Sequence, residues 1–259
     1  MVRKTMLLSA AAIAACNTLA HADPKVTLSN NAAYFRGDYG TGQNIDIYYD
    51  ATSLELKQNR WKLKLTVPYL WVKNLPVGAQ ISSGSVVTGG GHTMTHDASG
   101  LGDIWLEGRY KVYRGSGLKP SVSPYMKVKF ATASASSGLG TGRNDYEPGV
   151  MLQQVATPRL FPFAKVGYRF VGKPSGSRYR NIFTYKLGAT YALSHKSFLT
   201  PLFSGQQSLV PENSNPADLI LAWNYNVTPK GSGLQLYVDK GLSSGSADFG
   251  LGAGFNVVF

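Results

Sequence analysis

Residues 249–259, Phe-Gly-Leu-Gly-Ala-Gly-Phe-Asn-Val-Val-Phe, alternate without a break. Phe249, Leu251, Ala253, Phe255, Val257 and Phe259 fall on one face; Gly250, Gly252, Gly254, Asn256 and Val258 fall on the other. A period of two is the period of a β-strand. A long, apolar-faced strand at a chain end presents an open edge, and such an edge templates aggregation in water. Closing the sheet into a barrel removes the edge, and lipid accepts the apolar face. The feature points to an all-β fold: a closed antiparallel transmembrane β-barrel.

The other end of the chain carries an export signal. Arg3 and Lys4 precede a short apolar stretch over 6–15, and Ala20-His-Ala22 forms a small-residue cleavage site before Asp23. The division expected is a signal peptide over 1–22, cleaved after Ala22, and one barrel domain over 23–259. The apolar stretch is too short to cross a bilayer as a helix, and nothing later reaches eighteen apolar residues. Ile13-Ala-Ala-Cys16 resembles a lipoprotein box, whose use would make Cys16 an acylated first residue. Cys16 is the only cysteine, so cleavage after Ala22 leaves no disulfide framework. Removing Arg3 and Lys4 brings the formal charge from +12 to +10. Such a basic balance raises nucleic acid as a partner, but an exported, cysteine-free, alternating chain argues against it.

Alternating runs bounded by turn residues place strands near 26–38, 43–57, 60–73, 101–113, 119–133, 144–156, 160–172, 181–194, 197–210, 217–229, 232–242 and 247–259. Twelve is even, so both termini fall on the periplasmic side. Alternate joints are short: 58–60, 114–119, 157–159, 194–196 and 229–233. The other joints include the longer ones, at 74–100, 133–144, 173–180 and 211–217. Alternation then sorts the side chains. Trp61, Leu63, Leu65, Val67, Tyr69 and Trp71 face lipid, as do Ile104, Leu106, Met126, Val128, Phe130, Val166, Phe170, Leu187, Leu236 and Val238. The inward positions hold Lys62, Lys64, Arg109, Lys111, Lys127, Lys129, Lys165, Arg169 and Lys186, opposed by Asp103, Glu107, Glu147 and Asp239. The first two strands alternate poorly.

These inward charges are the candidate solute path. Rings of one sign set pore selectivity, and positives outnumber negatives here. A salt-bridged plug stiffening a narrow barrel is the alternative, and twelve strands lie between filled eight-stranded barrels and open porins. Gly138-Leu-Gly-Thr-Gly142 lacks the ending and following helix of a phosphate loop and reads as a tight hairpin with positive-φ glycines. Asp103 and Asp145 follow glycine-rich turns; they pair with a wall cation, cap the turn, or hold a metal bridging lipopolysaccharide. His92 and His96 are four apart in a Gly- and Thr-rich stretch that does not favour the helix such a zinc pair needs. A lipid hydrolase would require a His beside a Ser, and no His lies in a wall strand, His195 falling in a turn. No cofactor, metal or catalytic residue is expected.

Thr66-Val-Pro-Tyr-Leu70, Ser99-Gly-Leu-Gly-Asp-Ile104, Lys129-Phe-Ala-Thr132, Gly138-Leu-Gly-Thr-Gly-Arg-Asn-Asp-Tyr146 and Gly167-Tyr-Arg-Phe170 resemble one family. It is a small outer-membrane transporter family labelled for a meta-pathway of phenol degradation. The chain departs from it at Ala131 and Ala133, where Pro and Gly are the family's residues, and in ending Asn256-Val-Val-Phe. The resemblance implies a barrel passing small aromatic or other organic solutes. The terminal Phe259 also resembles the last residue of bacterial outer-membrane barrels, which the barrel-assembly machinery reads. The reading is an outer-membrane channel for small organic solutes, contacting membrane lipids and lipopolysaccharide, and no enzyme. A structural or surface-interaction barrel without a pore is the alternative, and a lipid hydrolase a further one.

Overall fold

The computed structural model describes residues 24–82, 85–87, 94–116 and 119–259. The signal segment, Cys16 and His92 lie outside the described residues. The strands are β1 (Lys25–Gly37), β2 (Ile45–Gln58), β3 (Trp61–Pro76), β4 (Gln80–Ser82), β5 (Ser85–Val87), β6 (Thr95–Leu101), β7 (Ile104–Tyr110), β8 (Ser121–Phe130), β9 (Asp145–Gln153), β10 (Leu160–Arg169), β11 (Ile182–Ala192), β12 (Ser197–Gln206), β13 (Ala217–Asn226), β14 (Gly233–Gly241) and β15 (Phe249–Val258). β6 and β7 both pair with β3 and form two halves of one wall stave, so twelve antiparallel staves close the barrel. β15 seals it against β1 from Thr27↔Val258 to Arg36↔Phe249. The edge that the terminal strand would expose in water is thereby paired.

The sequence places all twelve staves, but one joint differs. The expected loop over 74–100 is shorter, because β3 runs on to Pro76 and β6 begins at Thr95. Between them β4 and β5 form a small separate hairpin. The stave breaks at Gly102-Asp103. Gly102 N there donates to Pro68 O, and Thr132 bridges the break by accepting from Ile104 N and donating to Gly102 O.

The outer surface is apolar over its height. Leu28, Leu54, Leu63, Leu65, Met126, Leu152, Val166, Leu187, Leu219, Leu236, Val238 and Leu251 are all exposed. Aromatic rings band both ends. Trp61 and Tyr110 pair at 4.6 Å near the end that carries the termini. Tyr69 with Trp71, and Tyr168 with Phe183, lie at the opposite, loop-bearing end. An apolar belt between two aromatic girdles matches a bilayer and its interfaces. β1 and β2 break the pattern with Asn30, Asp46, Asp50 and Thr52 on the outer face. These groups satisfy one another: Asn30 Nδ2 donates to Asp50 Oδ1 at 2.6 Å and to Thr52 Oγ1 at 3.2 Å, and Tyr34 donates to Asp46 at 2.5 Å.

Inside, the glycine face of β15 has a steric reason. A Cβ on Gly252 would lie 2.2 Å from the Tyr237 ring, and one on Gly250 would lie 2.4 Å from Phe35. The rings of neighbouring strands therefore lie flat against the β15 wall instead of crossing the lumen.

The core of this molecule sits at its loop end. Ile45, Ile47, Leu70, Val72, Leu75, Ile81, Val86, Leu139 and Ala247 form one buried cluster, and Val87, Val171, Ile182, Leu209 and Val210 form a second. The β4–β5 hairpin spans the mouth. Ile81 N donates to Gly138 O at 2.7 Å, Ser85 Oγ to Gly245 O at 2.9 Å, and Tyr179 OH to Gln80 Oε1 at 2.7 Å. Three loops from different sides thus hold it. Gly138, at φ 73°, permits this approach, since a Cβ there would meet Ala79 O at 2.7 Å. Tyr39 is buried in the same cluster, and burial pushes its phenol well above the ordinary value, so it stays neutral.

Candidate functional site

Below the hairpin the barrel encloses a cavity of about 520 Å³, roofed by Ile81 and Ser85. Its walls include Lys64, Trp105, Glu107, Tyr125, Lys127, Glu147, Lys165, Arg169, Lys186 and Asp218. Strand alternation delivers each of these side chains inward, and cross-strand register decides which of them meet.

Nearest the loop end, Lys129 is fully buried. Its Nζ lies 3.2 Å from Asp103 Oδ2 and 3.1 Å from Asp145 Oδ2, and donates to Thr141 Oγ1 at 3.0 Å. The two carboxylates also accept backbone hydrogen bonds, Asp103 from Ala133 N and Asp145 from Gly172 N. This ion-paired lock ties the stave break and the 131–144 loop to the wall. Asp103 and Lys129 border the cavity as expected for the solute path, but each is held in this ion pair. The pairing of Asp103 and Asp145 with a wall cation is the outcome anticipated for them as turn-flanking acids.

A second belt is also paired. Arg169 Nε and Nη2 both donate to Glu147 Oε2, at 2.8 and 2.7 Å, and Tyr125 OH donates to Glu147 Oε1 at 2.9 Å. Lys165 Nζ lies 2.7 Å from Glu107 Oε2 and 3.9 Å from the Tyr125 ring centre. Arg109 lies 3.6 Å from Glu107. Nearer the terminal end Lys62 meets Glu55 at 2.5 Å. Lys111 lies just beyond β7 at that same end.

Lys64, Lys127 and Lys186 remain. Among the described residues none of the three comes within ion-pairing distance of a carboxylate. Lys127 Nζ instead sits 3.8 Å above the Trp105 ring, with the Arg169 guanidinium 5.3 Å from the same ring. Lys186 is exposed although it lies on the inner face, so its exposure is to the barrel interior. Asp239 points inward as expected; its Oδ1 is buried and accepts no hydrogen bond from the described residues. Sequence reasoning passed over Glu55, Asp218 and Tyr49. The signal for Asp218 was present: Leu219, Leu221, Trp223 and Tyr225 alternate as an apolar outer face, which leaves Asp218, Ile220, Ala222 and Asn224 inside. His96 Nε2 lies 3.5 Å from Ser137 O, and no group of metal-ligating side chains occurs among the described residues.

Residues 22–259 match the family described as "Putative MetA-pathway of phenol degradation". The chain belongs to this family. Its barrel is similar to an outer-membrane channel from Pseudomonas putida F1, at TM-score 0.68 and 14% identity, covering 93% of this chain and 97% of that one. The NanC porin superposes at TM-score 0.57 and 16% identity, covering 90% and 98%. At such identities the likeness is one of fold: a closed antiparallel barrel of the outer-membrane channel type. No curated protein matches the chain.

Proposed function

We propose that this family member is a passive outer-membrane channel for small organic solutes, with anions preferred. It is exported under residues 1–22, cleaved after Ala22, and presents Phe259 to the barrel-assembly machinery. The termini lie on the periplasmic side, and the β4–β5 end faces lipopolysaccharide. The single observation that carries the reading is the set of three inward amines, Lys64, Lys127 and Lys186, lining an enclosed cavity without a carboxylate partner. A wall meant only to stiffen the barrel would leave no such surplus, whereas amines in a confined space act on a passing anion more strongly than in bulk water. The rings of Trp105 and Tyr125 in the same cavity suit the aromatic solutes that the family description suggests. The P. putida and NanC structures, described as channel and porin, support the same class.

Planar-bilayer recording in asymmetric KCl tests the reading. The native barrel is expected to conduct, with a reversal potential of anion preference. Lys64→Gln, Lys127→Gln and Lys186→Gln together should move that potential to zero or beyond. Absence of conductance in a folded barrel would leave the pore-less structural barrel as the answer.

A further inference from the structure

Pairing inside the barrel is lopsided in its remainder. Glu55, Asp103, Glu107, Asp145 and Glu147 each have a Lys or Arg within ion-pairing reach. Asp218 and Asp239 have none among the described residues, and both face inward. On the other side Lys64, Lys127 and Lys186 line the cavity without an ion pair, and Lys57 and Lys111 lie outside it, nearer the terminal end. The leftover charges are therefore segregated, amines on β3, β8 and β11, and carboxylates on β13 and β14.

Register fixes their relation. Lys186 pairs with Ser204 across β11–β12, and Ser204 pairs with Asp218 across β12–β13. The three form one row, and at about 4.8 Å per strand the Lys186 and Asp218 backbones stand roughly 10 Å apart. Asp239 lies on the next strand, opposite Ile220 and two residues along from the partner of Asp218. In the ring of staves β8, which carries Lys127, lies across from β14, which carries Asp239. Lys186, Lys127 and Asp218 line the same cavity, whose volume suits a small molecule.

We propose that this cavity is a binding station for zwitterionic solutes of amino-acid size, their carboxylate held by Lys186 and Lys127 and their ammonium by Asp218, with Asp239 on the adjacent strand adding to the negative side. The inference rests on the channel reading and narrows its solute class. A neutral hydrocarbon would displace water from all of these charges and offer them nothing in exchange. A simple anion satisfies the amines but meets Asp218, which has no cation in ion-pairing reach among the described residues. A solute carrying both charges matches both walls.

Three probes that share a benzyl group separate these cases: phenylalanine, phenylacetate and phenethylammonium. Each is added to the channel in a planar bilayer, and the concentration that halves the current is read. Phenylalanine is expected to block at a concentration about tenfold below either singly charged probe, the worth of one charge-assisted hydrogen bond. Asp218→Asn with Asp239→Asn should erase that advantage without weakening phenylacetate. Lys127→Gln with Lys186→Gln should weaken both carboxylate-bearing probes. Phenylalanine no better than phenylacetate, or unaffected by the double Asn change, overturns the station while anion preference stands. Calorimetric titration of the same probes into the detergent-solubilised barrel reads the site independently of conductance. A silent barrel that still prefers phenylalanine loses the channel reading and keeps the station; one that binds all three alike loses both.

Discussion

Lys129 and Lys186 are both inner-face lysines of wall strands, yet their surroundings are opposite. Lys129 has no exposure, two carboxylates within 3.2 Å and a threonine hydroxyl at 3.0 Å. Lys186 is exposed to the lumen and has no carboxylate in ion-pairing range among the described residues. What separates them is the cover above. The 131–144 loop packs directly on Lys129 through Thr141, while Lys186 borders the cavity below the hairpin. A buried charge must be paired because its desolvation is costly. A lumen charge keeps its water and stays available to a solute. The same residue type on the same face is thus locked at the mouth and, on the function proposed, free to meet a solute in the cavity.

The largest effect expected tests that contrast directly. Lys129→Met leaves Asp103 and Asp145 buried side by side without a cation, at a cost of about 3–5 kcal/mol. Lys186→Met removes a solvated amine, and its cost is expected within about 0.5 kcal/mol. Urea titration of the refolded barrel, followed by its heat-modifiable gel shift, measures both. Equal sensitivity of the two variants would abolish the distinction between mouth and cavity. Next in size is a charge on the outer face. Val128 lies on the lipid face two residues before the loop end of β8, paired with Leu106 and Tyr146. Val128→Lys is expected to cost about 1–2 kcal/mol, between the interface and midplane values, and to slow insertion into lipid vesicles. If it inserts normally while Lys127→Leu blocks assembly, the inner and outer faces are exchanged.

A smaller effect concerns the wall opposite the amines. Gly252→Val would drive a side chain into the Tyr237 ring, at about 1–3 kcal/mol of overpacking. The ring has open space on its lumen side, so part of the strain is relieved by its swinging inward. Conductance should fall more than stability does. A conductance unchanged by this substitution would mean that the flat packing of Tyr237 does not set the bore.

Much of this was legible in the sequence, for a physical reason. Lipid on one side imposes a period of two on every strand, so the twelve staves and most inner faces follow from alternation alone. β1 and β2 were obscure because Asn30, Asp46, Asp50 and Thr52 stand on the lipid side, where they are tolerable only through hydrogen bonds to one another and to Tyr34. Ion pairing was not legible, since it depends on register: Lys127↔Glu147 and Lys129↔Asp145 are cross-strand partners, yet Glu147 turns to Arg169 two strands from Lys127. The hairpin left the weakest trace. Ile81, Val86 and Val87 are too few and too spread among Gly, Ser and Thr to announce a buried segment.

The hairpin also supplies the gentlest perturbation. Ile81 and Val86 hold it in the loop-end cluster, and it bonds to three other loops. Replacing both by Ser removes apolar burial from a segment that carries no wall strand. The staves and their pairings are untouched, so the barrel should fold, and its unfolding midpoint should shift less than in any variant above except Lys186→Met. The cavity roof, however, includes Ile81 and Ser85. Loosening the roof opens the mouth, and single-channel conductance is expected to rise while anion preference, set by the amines below, is retained. The two readouts therefore part company if mouth and cavity are separate devices. A rise in conductance accompanied by loss of anion preference would show that the hairpin holds the lumen lysines in place, and the division drawn between a structural mouth and a functional cavity would not survive it.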